Sequence, residues 1–190
     1  MNMNFKKDGY YVIRGFLKPD FVAFIQQYFF TRINAGQSTV GDTQAPNSYC
    51  FYGDPLMDTI LGESVKKLSE VAGYSLFPTY TYTRLYGKGD ELIKHRDRPS
   101  CELSATLSLG IPAGEDINPI YFSVNEDESD VVEIKLNPGD LCLYHGCDLY
   151  HWRKPFTQKW YLQSFLHYVN ANGPHSDNLY DGRPYLGMPK

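Results

Sequence analysis

The sequence predicts a mainly β chain in which N-terminal helices cover one sheet of an antiparallel sandwich or barrel. Three observations carry this reading. Helical spacing of apolar residues is confined to the region before Gly73. After Gly73 the chain breaks into short runs of β-forming residues, several of them alternating strictly, with turn residues between them. Aromatic residues make up 15% of the chain, 16 of them Tyr against 2 Trp, a composition that suits packing across strands.

The elements follow in order. "DGYYVIRGF" (Asp8 to Phe16) reads as a short strand and "KPDFVAFIQQYFFTRI" (Lys18 to Ile33) as a helix. Asp20 is its candidate N-cap, and Phe21, Phe24, Ile25, Tyr28 and Phe29 recur at helical spacing. Asn34 to Ser48 is rich in turn residues and reads as a loop. Asp54 to Gly73 reads as a second helix, with a break expected near Gly62 and an end at Gly73. In "LFPTYTYTRLYG" Tyr80, Tyr82, Arg84 and Tyr86 share one face of a strand. In "CELSATLSLG" Leu103, Ala105, Leu107 and Leu109 face one way and Ser104, Thr106 and Ser108 the other. The hydroxyl face lines either a cavity or the solvated side of an edge strand. Strands are also expected over 118–124, 130–136, 139–145 and 159–169, with "NPGD" as a turn. The whole chain, 1–190, reads as one domain: a helical support region over 1–75, a β core over 76–170 and a loop-like tail over 171–190. The loop from Asn34 to Tyr52 and the tail are the candidate lids.

A formal charge of −4 provides no electrostatic footprint for nucleic acid. No run approaches the roughly 18 apolar residues of a membrane span. The first residues lack the apolar run of a secretory signal. Cys50, Cys101, Cys142 and Cys147 form no Cys-x-x-Cys pair, so they read as reduced thiols of a cytoplasmic protein.

The stretch "ELIKHRDRPSCEL" carries the chemistry. Its His-Arg-Asp matches the catalytic loop of protein kinases in three residues only. Arg98 and Glu102 stand where that loop needs Leu and Asn, and neither a Gly-rich phosphate loop nor Asp-Phe-Gly occurs. As a metal motif it fares better. His95 and Asp97, two apart on an extended segment, point the same way. A third ligand is available downstream in "NPGDLCLYHGCDLYHWRKPF", where both His145 and His151 are candidates. Two imidazoles and a carboxylate on one face of an ion leave other positions open, as in non-haem Fe(II) oxygenases. His167, in the middle of a strand, and His175 are weaker ligands on position.

"KKDGYYVIRGFLKPDFV", "RLYGKGDELIKHRD" and "LNPGDLCLYHGCDLYHWRKPF" together resemble the 2-oxoglutarate/Fe(II)-dependent dioxygenases, nearest the prolyl-hydroxylase and phytanoyl-hydroxylase-like members. The resemblance spans roughly residues 5 to 170. It implies a double-stranded β-helix of jelly-roll or cupin type. It implies Fe(II) held by His95, Asp97 and His151, with 2-oxoglutarate and O₂ as co-substrates and ascorbate as an accessory reductant. The implied reaction is hydroxylation of an unactivated C–H bond in a small-molecule or peptidyl substrate. The competing reading is a cupin-like module that binds metal or ligand without turnover.

One feature departs from the family. The positions that usually carry the Arg or Lys for the far carboxylate of 2-oxoglutarate fall on Trp160, Tyr161 and Leu162. Arg153, then Arg84, then Lys159 are the substitutes, ranked in that order. Tyr86 stands where relatives often carry a tyrosine that hydrogen-bonds the co-substrate.

Overall fold

The computed structural model describes residues 3–190. In chain order the elements are α1 (Met3–Asp8), β1 (Tyr10–Ile13), α2 (Pro19–Asn34), β2 (Thr39–Val40), β3 (Tyr49–Tyr52) and α3 (Pro55–Ala72). They are followed by β4 (Leu76–Gly87), β5 (Leu92–His95), β6 (Leu103–Gly110), β7 (Ile120–Ser123) and β8 (Val132–Ile134). The last strands are β9 (Leu141–His145), β10 (Tyr150–Arg153) and β11 (Trp160–Asn170). Two sheets result, a seven-stranded one ordered β1-β9-β6-β11-β4-β3-β2 and a four-stranded one ordered β5-β10-β7-β8. Every pairing is antiparallel.

Alternation along the central strands decides what each face of the large sheet does. Leu103, Ala105 and Leu107 of β6, Leu141 and Leu143 of β9, and Leu162 and Leu166 of β11 share the outer face. There they pack under Ile25 and Phe29 of α2 and Met57, Leu61 and Leu68 of α3. Each of these fully buried side chains contributes about 1.5–3 kcal/mol. The helices therefore cover one sheet, as expected. The inner face is different. Ile120 and Phe122 of the small sheet pack on Cys142 and Tyr144 of β9, but beyond them the inner face turns polar.

Several local expectations change. α2 begins at Pro19 with Lys18 as its cap residue and no capping side chain, so Asp20 lies in the first turn instead. Its buried stripe is Val22, Ile25 and Phe29; Phe21 and Phe24 face solvent and stack on each other. α3 runs unbroken through Gly62, because its neighbours are good helix formers. It ends at Gly73 in the left-handed conformation (φ 82°). Asp54 caps it through the N–H groups of Leu56 and Met57. The stretch from Asn34 to Tyr52 is not one loop: β2 and β3 pair and β3 adds to the sheet beside β4, so the irregular parts are 35–38 and the connection between β2 and β3. The hydroxyl face of β6 is not solvated, since β6 lies between β9 and β11 and is buried throughout.

The tail also differs from a mobile segment. It folds back through a 3₁₀ stretch (Ser176–Gly182) and inserts two charged residues. Arg183 donates to Asp58 (2.8 Å), to the carbonyl of Thr79 and to that of Met188, and Asp58 also accepts from Thr81 and Gly187. Both partners of the ion pair are about 1% exposed. Breaking such a pair strands a buried charge, a loss of about 3–5 kcal/mol. Arg183→Met is expected to lower the thermal midpoint by roughly 6–20 °C, at ~2–4 °C per kcal/mol for this chain length, measured by calorimetry. A shift below ~2 °C would show that the tail does not hold the sheet.

Candidate metal centre

His95 closes β5 and His151 lies in β10, and the two are paired directly across the small sheet. Their ring centroids are 4.3 Å apart. Asp97 follows β5 in an irregular segment and turns its Oδ1 between them, 3.6 Å from His95 Nε2 and 3.5 Å from His151 Nε2. In each imidazole Nδ1 meets a backbone carbonyl two residues earlier, Ile93 O at 2.6 Å and Leu149 O at 3.0 Å. A carbonyl can only accept, so both Nδ1 atoms carry the proton and both Nε2 atoms turn a lone pair toward Asp97. The result is two neutral imidazole nitrogens and a carboxylate oxygen facing a common point, a donor set suited to a divalent transition metal.

Burial pushes the Asp97 carboxyl up. In the metal-free site a ring that takes up a second proton at Nε2 reverses this: attraction to a protonated His151 and hydrogen bonds from His151 and His95 in that form hold the group well below the usual carboxylate range. Its second oxygen accepts from Ser104 (2.6 Å), and Ser104 in turn contacts His167 Nδ1 (2.8 Å). Burial pushes the His167 imidazole down to about 4. Asp97, Cys101 and His167 also cluster, but they share Asp97 with the first group and so are not an independent site.

These residues sit in the wall of a cavity of about 380 Å³ that also reaches Tyr80, Tyr82, Arg84, Arg98, Tyr144 and Phe165. The other expected residues divide clearly. His145 is elsewhere, stacked on Phe5, and His175 lies in the tail. Lys159 is exposed. Arg84 lines the cavity but is already engaged: it pairs with Asp42, donates to Gln44 (2.9 Å) and reaches Tyr86 (3.4 Å). Burial lowers its charge affinity, and Tyr86 and Asp42 more than restore it.

Arg153 is 1% exposed and lies behind the cavity wall over the Tyr161 ring. Its Nη1 donates to the Asn118 carbonyl (2.7 Å), while Nε and Nη2 have no protein partner. It has no acidic partner among the described residues. Tyr86 is fully buried, stacked on Phe156.

Asp42, Ser104 and His167 are the contributors that motif reading did not assign. Asp42 reaches the cavity from the β2–β3 turn, and nothing in its local sequence signals that contact. Ser104 was visible only as part of an alternating hydroxyl face.

No protein-family model and no curated protein matches the chain. Solved structures do. A prolyl hydroxylase from Trichoplax adhaerens, in complex with a hypoxia inducible factor oxygen degradation domain peptide fragment, is 16% identical with a TM-score of 0.72, covering 95% of this chain and 90% of that one. SnoN, a non-haem α-ketoglutarate dependent epimerase from nogalamycin biosynthesis, is 15% identical with a TM-score of 0.73, over 96% and 87%. HygX from Streptomyces hygroscopicus, with nickel and 2-oxoglutarate bound, is 15% identical with a TM-score of 0.65, over 88% and 85%. At this identity the likeness shows the fold, the double-stranded β-helix.

His167 also makes the metal-free protein pH-sensitive. Its folded value, about 4, lies below the unfolded one, so between pH 6.5 and 4 the unfolded chain binds the extra proton. Stability is therefore complete above 6.5 and falls as the pH drops through this window, by roughly 3 kcal/mol in all. The low value at Asp97 acts only further down, below ~4. Urea titrations from pH 7 to 4.5 are expected to show the loss in the wild type and a flatter profile in His167→Asn; parallel profiles would exclude His167 as the cause.

Proposed function

We propose that the chain is a non-haem Fe(II)- and 2-oxoglutarate-dependent dioxygenase, with His95, Asp97 and His151 holding the metal. The observation that carries this is the donor set itself: two imidazoles locked as Nδ1–H tautomers and one carboxylate oxygen, converging in a cavity wall. Fe(II) bound there would supply the oxidation of an unactivated C–H bond by O₂, coupled to conversion of 2-oxoglutarate to succinate and CO₂.

The chain's own part is binding and exclusion of water. Arg153 supports the co-substrate assignment. A buried guanidinium with two unpartnered nitrogens and no carboxylate beside it is costly, and a ligand carboxylate would complete it with charge-assisted hydrogen bonds. Arg153 stands two residues past His151 on the same strand, about 6–7 Å along it, which matches the span of a five-carbon diacid. Arg84 lines the cavity, and Tyr86 is buried behind it, 3.4 Å from the Arg84 guanidinium. Tyr144 and Phe165 give the cavity an aromatic wall. The neighbours above include a hydroxylase in complex with a peptide fragment and an epimerase of nogalamycin biosynthesis, so the fold alone does not choose between a peptidyl and a small-molecule substrate.

The non-cationic positions Trp160 to Leu162 favour a second reading, a metal-binding module without turnover. Succinate release and O₂ uptake with Fe(II) and 2-oxoglutarate separate the two. The enzyme reading expects both, abolished in His95→Ala and in His151→Ala. Metal binding without succinate under any condition would favour the module. Arg153→Ala is expected to raise the KM for 2-oxoglutarate by about 30-fold or more, the equivalent of the ~2 kcal/mol lower bound for truncating a buried charge partner. Arg84→Ala should have the smaller effect; the reverse order would move the carboxylate site to Arg84.

A further inference from the structure

On the metal reading above, we infer that Ser104 and His167 form a positioning dyad that turns Asp97 so that a single carboxylate oxygen faces the imidazoles. Asp97 needs such a device. It lies between β5 and the 3₁₀ turn Pro99–Cys101, outside any strand, and its backbone is fixed there by one bond, from its N–H to the Gly146 carbonyl (2.9 Å). Its side chain is free to rotate unless something holds it.

Ser104 and His167 do so from two adjacent strands inside the large sheet, each paired on both sides. They are direct partners across the β6–β11 ladder in the middle of the large sheet, and both are buried. The proton accounting allows one arrangement. The Asp97 carboxylate can only accept, so the single Ser104 hydroxyl proton goes to its Oδ2, at 2.6 Å. Ser104 Oγ is then the acceptor for His167 Nδ1, at 2.8 Å, and His167 is fixed as the Nδ1–H tautomer. With Oδ2 engaged, Oδ1 alone remains between His95 and His151. A carboxylate bound through one oxygen takes one coordination position and leaves the others for co-substrate and O₂.

Gly146 is an independent sign that the space around this bond is reserved. A Cβ there would stand 2.5 Å from Asp97 Oδ2, 2.9 Å from Ser104 Oγ and 2.3 Å from the Cys101 carbonyl. Gly146 does not have positive φ, so its backbone conformation does not call for glycine; the close approach of the Cys101 carbonyl and of the Ser104–Asp97 pair does.

The test is the affinity of the metal-free full chain for Mn²⁺, followed by the paramagnetic signal of the free ion. Ser104→Ala and His167→Leu are expected to weaken binding about 10- to 100-fold, the usual cost of losing an outer partner of a ligand. His167→Asn puts an amide N–H where the imidazole Nδ1–H was and is expected to bind close to wild type. This rescue is a readout that a merely structural histidine would not produce. Wild-type affinity in both Ser104→Ala and His167→Leu would overturn the dyad, as would His167→Asn binding as weakly as His167→Leu. If Ser104→Ala does not fold, judged by its near-ultraviolet circular dichroism, the two His167 variants decide. His95→Ala tells the two failures apart. If it loses Mn²⁺ while Ser104→Ala and His167→Leu keep it, only the dyad falls. If it too keeps wild-type affinity, the metal reading falls with it.

Discussion

The antiparallel register that places His151 opposite His95 is the constraint on which the candidate site depends. Strand pairing has a side-chain period of two, so a slip of one residue would send one imidazole to the other face of the small sheet. On one side β10 meets β5 at His95, past which the pairing shifts by a residue before Leu92; on the other the register is held without a break by β7 through Ser123, Phe122 and Tyr121. Phe122 then anchors the small sheet to the large one by stacking on Tyr10 and packing at a tilt against Tyr144. Each imidazole is closed off by the carbonyl two residues before it, so the strand that positions the ring also selects its tautomer. The chemistry of the donor set is in this sense a property of the sheet, and Asp97, which is not in a strand, is the one member that must be held by side chains.

The two faces of the large sheet divide stability from function. Outward, the leucine rows of β6, β9 and β11 meet α2 and α3 in a continuous apolar core. Inward, the same strands present Ser104, Thr106 and Ser108 beside Gln163 and His167, all buried. Thr106 Oγ1 and both side-chain termini of Gln163 have no protein partner, and neither do Nε and Nη2 of Arg153 on β10 of the small sheet. Each such atom costs about 1–3 kcal/mol. An interior that carries this cost beside a cavity is poorly explained as a stability device. It fits a polar layer behind the cavity wall, of which His167 is the member that lines the cavity itself, and the helical layer is what lets the fold tolerate it.

Most of the architecture was legible because it rests on periodicity. The switch from helical to alternating pattern at Gly73 marks where the helices stop and β4 begins, and "YTYTRLY" and "LSATLSLG" assign faces that the sheet reproduces. His95, Asp97 and His151 were legible because a spacing of two on an extended segment and a histidine after a Gly-Asp turn are local signals. What could not be read depends on contacts made over long distances. β5 and β10 are short, and only their pairing with each other and with β7 makes them strands. Asp42 reaches Arg84 from a turn that looks like any polar loop. The tail reads as loop because its cohesion comes from the ion pair of Arg183 with Asp58, a residue in the first turn of α3 that carries no sign of its partner. Phe21 and Phe24 fit a helical stripe by spacing, yet that stripe is wider than the sheet beneath it.

The two buried arginines pose the question that spacing could not answer, and their partners decide it. Arg84 is nearer the open cavity, but Asp42 occupies its guanidinium from within the same chain, supported by Tyr82 and by the N–H groups of Gln44 and Ala45. An intramolecular carboxylate competes at a high effective concentration, so a free diacid gains little by displacing it. The charge of Arg153 is balanced by no side chain, and its unpartnered nitrogens are fixed by stacking on Tyr161 and by the bond to Asn118. Preorganisation and lack of competition both favour Arg153 as the cation for a bound carboxylate, and they leave Arg84 with a different task, that of fastening the β2–β3 turn over the cavity.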